Sequence, residues 1–155
     1  MTTATQQTWL LQVVAPGAWL TANVERHRFQ RSTLVRQWRD ATWYGCVLAK
    51  LPRGITTPVS IHLDVIHATA RAPVRDRLNL APTVKAIVDA LTPPRQFTRG
   101  GRTYTTVGWG FLTDDSDRQV LDTTWHLRMA EPGELRPGLV GRVDLAISVN
   151  GGGDE

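Results

Sequence analysis

The chain holds one cysteine, Cys46, among 155 residues. A single thiol excludes an intrachain disulfide and a cysteine-based zinc site. The plainest reading of Cys46 is a small buried hydrophobe. Lysine is nearly as scarce: of 18 basic residues only Lys50 and Lys85 are lysines, and the rest are arginines. No apolar run approaches the roughly 18 residues that a membrane-spanning helix needs, so no membrane partner is expected. No basic-then-apolar segment opens the sequence, which makes the cytoplasm the expected compartment. Internal repeats are absent.

What is present is a basic, moderately hydrophobic chain, with a formal net charge of +4 and 41% hydrophobic residues. The length suits one domain. The charge fits a polyanion partner, and the planar guanidinium fork of arginine suits phosphate. A coding bias toward arginine explains the skew equally well.

Periodicity places the elements. Residues 1–8 are polar and read as a flexible terminus. Trp9 to Val14 is a short apolar run, a strand ended by Pro16-Gly17. A polar loop spans Asn23 to Arg28. A helix follows over about Ser32 to Lys50, with Leu34, Trp38, Ala41, Gly45 and Leu48 on one face. In Val59 to Val65 apolar residues alternate with Ser60, His62 and Asp64, as in a half-buried strand. A basic loop covers Ala68 to Arg77. A second helix runs from about Leu80 to Leu91, with Val84, Ile87, Val88 and Leu91 inward, Asn79 as N-cap and Pro82 in the first turn. Residues 93–109 form a Pro/Gly/Arg-rich insertion with a short hairpin around Arg99-Gly100-Gly101. Strands follow over about Asp117 to Met129 and Leu139 to Val149, and 150–155 is a flexible tail. The order predicts a single α+β domain over 9–149, a mixed sheet with two helices on one face.

Two polar clusters can carry chemistry. Arg75 to Leu91 sets Asp76 and Asn79 ahead of a helix that carries Lys85. Gly110 to Val120 sets Asp114, Asp115 and Asp117 ahead of a strand. Carboxylates from separate segments suit a hard Mg²⁺ ion, which takes oxygen ligands; such an ion polarises a phosphodiester and activates water. A lysine beside it stabilises negative charge in the transition state. The plain alternatives are a polar turn at 114–117 and an exposed Lys85–Asp89 ion pair four residues apart on a helix. An EF-hand is excluded by the missing glycine.

Arg75-Asp76, Asn79, Lys85-Ala86, Asp89-Ala90-Leu91, Asp114-Asp115 and Val120 together resemble the signature of the RusA-type Holliday junction resolvases, in the spaced form of an actinobacterial phage branch. Asn23 and His27 resemble that family's Asn-x-Arg-x-His stretch, with Glu25 where arginine is usual, and Trp38-Arg39-Asp40-Ala41 resembles its first helix. The similarity spans about Asn23 to Val149. It implies a phage-borne, Mg²⁺- or Mn²⁺-dependent endonuclease that acts as a homodimer on four-way junction DNA and leaves 5′-phosphates. Asp76 and Asp115 would bind the metal, and Lys85 would be the catalytic lysine. Three departures stand out. Leu78 replaces a second aspartate, Asp76 and Lys85 are nine residues apart instead of six, and residues 92–109 exceed the usual tight connection. Asp114 or Asp117 would then supply the missing carboxylate, and Asp76, Asp115 and that acid would converge with Lys85 at the margin. Two other readings remain open: a branched-DNA-binding protein that has lost catalysis, supported by Leu78, and a nuclease of forks or flaps.

Candidate DNA contacts are Arg26, His27, Arg28 and Arg31 near the first helix, Arg75 and Arg77 in the central motif, and Arg95, Arg99 and Arg102 in the insertion; solvated loops are the alternative. Trp109 is a candidate base-stacking residue. Trp9, Trp38, Trp43 and Trp125 are expected in the core. His62 reads as structural, His67 remains ambiguous, and His126 reads as a partly buried histidine.

Overall fold

The computed structural model describes residues 7–22, 28–68, 77–113 and 118–149. Four strands build one sheet: β1 (Thr8–Val14), β2 (Val59–His67), β5 (Val120–Met129) and β6 (Gly141–Val149), in the order β1-β6-β2-β5. β6 lies antiparallel to both β1 and β2, and β5 lies parallel to β2. A second, two-stranded sheet is the hairpin of β3 (Gln96–Arg99) and β4 (Arg102–Thr105). The helices are α1 (Arg28–Ala49) and α2 (Ala81–Ala90), and a 3₁₀ turn at Arg77–Leu80 leads into α2. The expected α+β domain, a mixed sheet with two main helices, is therefore observed.

The alternation in β2 decides which face of the sheet is covered. Val59, Ile61, Leu63 and Val65 are buried, while Ser60, His62 and Asp64 are half-buried on the other face. In register beside them, Leu145 and Ile147 of β6 and Trp125 and Leu127 of β5 extend the apolar face. Side chains two apart on a strand share a face, so this surface is continuous, and α1 and α2 close over it. Trp38 is fully buried, stacks on Trp19 at 5.2 Å and donates its indole N–H to the Ala18 carbonyl at 3.1 Å. Thr83, buried on α2, donates to the Leu20 carbonyl at 2.7 Å. These bonds tie the segment after β1 to both helices.

Several details differ from the sequence expectations. The sheet begins earlier than the apolar run: Thr8 pairs with Ser148, and the Gln7 carbonyl accepts from Val149 N–H at 3.0 Å. α1 starts at Arg28 instead of Ser32, and its inner face runs through Leu34, Trp38, Thr42, Gly45 and Cys46. Leu48, assigned to that face, is 67% exposed; it lies about 80° round the helix from Trp38, off the buried stripe. Asn79 is not the N-cap. It lies in the 3₁₀ turn, where its carbonyl accepts from Ala22 N–H at 3.0 Å, and the cap position falls to Leu80 without a side-chain bond. Pro82 does sit in the first turn of α2, where its missing N–H costs nothing. His126 is exposed, its ring 5.0 Å from that of His62, whose Nδ1 lies 2.7 Å from Thr124 Oγ1. Trp43 stands 40% exposed at the rim of the core.

Two expected outcomes follow from the packing. Gly45 is where α1 crosses β1, and a Cβ there would collide with the Gln12 carbonyl oxygen. Gly45→Ala should therefore cost about 2 kcal/mol, although alanine favours helix; the drop in urea midpoint measures it. Cys46 is fully buried, and loss of solvation pushes its thiol up to about 12. It should react with a thiol reagent at pH 8 only after denaturation. The folded chain keeps this proton while the unfolded chain releases it near the ordinary value, so Cys46 removes stability as the pH rises above about 9.

Candidate nucleic-acid interface

Lys85 projects from the outer side of α2. Its side chain is 76% exposed, and its ammonium reaches Asp89 Oδ2 at 3.1 Å. The same oxygen accepts from Arg39 of α1 at 3.3 Å. Asp89 thus holds one cation from each helix. Arg39 is more enclosed than Lys85, and its Nε is buried without a hydrogen-bond partner. This pairing bears out the exposed i,i+4 ion pair expected from sequence and adds Arg39 to it.

Lys85, Asp89 and Arg39 line one end of a longer groove. That end is completed by Thr92, Arg95 and Thr106. Arg39 and Thr106 also line the next stretch, a depression of about 520 Å³ between α1 and the β3–β4 hairpin, edged by Arg31, Arg36, Phe97 and Tyr104. No carboxylate lines that stretch. The base of the hairpin is fixed to the end of α2. Arg95 and Thr106 exchange backbone and hydroxyl bonds, the Trp109 N–H donates to the Ala90 carbonyl at 2.7 Å, and Gly110 N–H donates to the Thr92 carbonyl at 3.1 Å. Gly108 fits there because a Cβ would strike the Thr92 carbonyl. The long insertion is therefore an ordered wall of the groove.

The expected site residues divide into three groups. Arg26, His27, Arg75, Asp76, Asp114, Asp115 and Asp117, and the side chain of Arg28, lie outside the described residues, so the convergence of carboxylates does as well. The second group is Arg77, held against Trp125 of β5 and absent from the lining of the groove, and the described flanks of these segments are well anchored. Arg77 follows Asp76, accepts the Trp125 indole N–H on its carbonyl at 2.8 Å and lays its guanidinium 5.2 Å from that ring. Thr113 precedes Asp114, and its N–H donates to the side chain of Gln119 at 3.1 Å. The Gln119 side chain in turn donates to the Ile55 carbonyl. Lys85 stands on α2 between the end that follows Arg77 and the end at Leu91, which accepts Leu112 N–H at 3.0 Å. The third group is brought into the groove or to its rim: Lys85 and Arg31 line it, and Arg99 and Arg102 flank the hairpin turn. Among the described residues, no group of three or more His, Cys, Asp or Glu side chains is placed to hold a metal ion.

Trp109 is not a free stacking surface. Its indole donates to the Leu51 carbonyl at 3.0 Å, Trp43 meets it edge-on at 5.5 Å, and Arg53 covers its ring at 3.8 Å. Sequence reasoning missed Arg36, Arg39, Phe97 and Tyr104. A signal for the aromatic pair was present: Phe97 and Tyr104 sit symmetrically about Gly100-Gly101, and a two-residue turn pairs such positions directly.

No protein-family model matches the chain, and no curated protein matches it.

The ion-pair geometry separates structure from function at Lys85. Asp89→Ala should lower stability by about 1–2 kcal/mol, because it leaves the enclosed Arg39 unpaired. Lys85→Ala should change stability by less than about 0.5 kcal/mol, since an exposed partner contributes little. Urea unfolding of both variants distinguishes them; a loss at Lys85 as large as that at Asp89 would make the lysine structural.

Proposed function

We propose that the chain is a metal-dependent endonuclease that acts on branched DNA, with the four-way junction as its substrate and a homodimer as its working form. The carrying observation is the placement of Lys85: solvent-open and without a core role, it stands at the end of a groove walled by Arg31, Arg36, Arg39 and Arg95. Arginines bind phosphate oxygens and hold a backbone in register. An exposed ammonium at the end of such a track is available to the negative charge that develops on a phosphodiester under attack.

In this reading Asp76 and Asp115, with Asp114 or Asp117, hold Mg²⁺ or Mn²⁺. The ion supplies Lewis acidity and an activated water. The chain's own residues bind the strand, orient the phosphodiester and offer Lys85 to its oxygens. Asp89 and Arg39 position Lys85 until substrate displaces the pair. Paired cuts in a two-fold symmetric junction call for two sites, which a symmetric dimer provides. A phage enzyme working in the bacterial cytoplasm is consistent with this reading, and no helix among the described residues is long and apolar enough to cross a membrane.

Leu78 favours one second reading. It stands 61% exposed in the 3₁₀ turn, where the resemblance expects an aspartate. A chain short of one metal ligand would bind branched DNA without cutting it.

Cleavage of labelled four-way, forked and linear DNA with Mg²⁺ tests these alternatives. Wild type should cut junctions, and chelation of Mg²⁺ should stop it. Asp115→Asn should abolish cutting while junction affinity stays within about threefold, because affinity comes mainly from basic contacts to phosphate. Lys85→Ala should slow cutting by about 10²–10³-fold. Binding without cutting establishes the second reading, and preferred cutting of forks moves the substrate. Unimpaired cutting by Asp115→Asn removes that residue from the site.

A further inference from the structure

We propose that the β3–β4 hairpin is a stacking platform for an unpaired DNA base, so that the groove selects DNA whose strand is open beside the branch point. This rests on the DNA reading above and adds what part of the DNA is recognised.

The hairpin serves the groove more than the core. Its strands pair only with each other, and all eight of their residues are exposed. So short a hairpin is marginal by itself; here its base is clamped to α2 and its turn is set by Gly100 and Gly101, both with positive φ of 59° and 75°. At the centre, Phe97 and Tyr104 are cross-strand partners with ring centroids 5.4 Å apart and planes 22° from parallel. The two residues are 47% and 44% exposed. Both rings line the groove opposite Arg31 and Arg36 of α1.

The adjacent pair on the same face is Arg99 opposite Arg102. Like charges directly across a strand pair repel. Their placement beside two open rings is readily understood if an anion lies between them. Aromatic faces accept any base, and arginines accept the phosphate on either side of it. The stretch beside the hairpin, with Arg31, Arg36 and Arg39 along one wall, a half-exposed aromatic pair on the other and no carboxylate in its own lining, fits a nucleotide better than an acidic or apolar peptide. A base in a duplex offers only its edges, so the rings discriminate in favour of an unpaired one.

The test is equilibrium binding with Ca²⁺ in place of Mg²⁺, using a duplex, the same duplex carrying a two-nucleotide gap, and an intact four-way junction. One of the two unpaired nucleotides opposite the gap is 2-aminopurine. Wild type should prefer the gapped DNA about tenfold over the duplex, the size of one base–aromatic stack, and should quench the 2-aminopurine. Phe97→Leu and Tyr104→Leu keep apolar bulk but lose the ring, and each should bring the ratio of gapped to duplex affinity toward one and remove the quenching. Tyr104→Phe should retain both. Equal wild-type affinity for gapped and paired DNA overturns the platform while leaving the DNA reading intact, as does a preference unchanged in both leucine variants. Failure to bind any of the three DNAs overturns both.

Discussion

The single buried face of the sheet is the constraint on which the rest depends. β2 is central, and its inward residues Ile61, Leu63 and Val65 are essentially without solvent contact. Removing those side chains and their neighbours in β6 from water is the main favourable contribution to folding. Only a second apolar layer can complete it, so α1 and α2 must lie with their apolar stripes against the sheet. α1 comes so near β1 that position 45 admits no side chain. The opposite face of the sheet is left to polar side chains such as His62, Asp64, Arg142 and Asp144, the last two joined by a bond of 2.7 Å.

The orientation of α2 follows from this layer and brings the chemistry with it. Val84, Ile87 and Leu91 are held in the core, which turns Lys85 and Asp89 toward solvent and toward α1. Arg39 then meets Asp89 from the neighbouring helix. A salt bridge of this kind contributes modestly to stability; its greater effect is positional, since it fixes a lysine ammonium at the end of an arginine-lined groove. The segments that carry the acidic residues are tied at their described flanks, Arg77 on Trp125 and Thr113 on Gln119, to the strands beneath.

The segment that carries the hairpin is attached without altering the core. The hairpin contributes no residue to the central cluster. Its attachment instead uses backbone bonds to the end of α2, where unsatisfied helical carbonyls are available, and Trp109 plugs the junction beside Trp43. Freed from packing, the two strands can present arginines and aromatic rings on one face.

The sequence by itself determined the elements of regular structure, because their signals are local. Alternation in Val59 to Val65, the helical spacing of Leu34 and Trp38, and the glycine pair between Arg99 and Arg102 each act within a few residues. The ion pair of Lys85 and Asp89 was legible for the same reason. The acidic clusters around Asp76 and Asp115 were legible only as residue types and as a family resemblance, and both fall on segments outside the described residues. Tertiary structure decided the rest. Strand order places β6 between β1 and β2, which no local pattern specifies. Asn79 is not the cap because the 3₁₀ turn Arg77–Leu80 runs directly into α2 and moves the cap position to Leu80. Leu48 stands exposed because the stripe of α1 that meets the core runs through Thr42 and Cys46. The groove itself joins Arg31, Arg36 and Arg39 of one helix to Lys85 of another and to Phe97 and Tyr104 of a hairpin. Its charge and shape exist only once burial of the shared core has brought those three elements side by side.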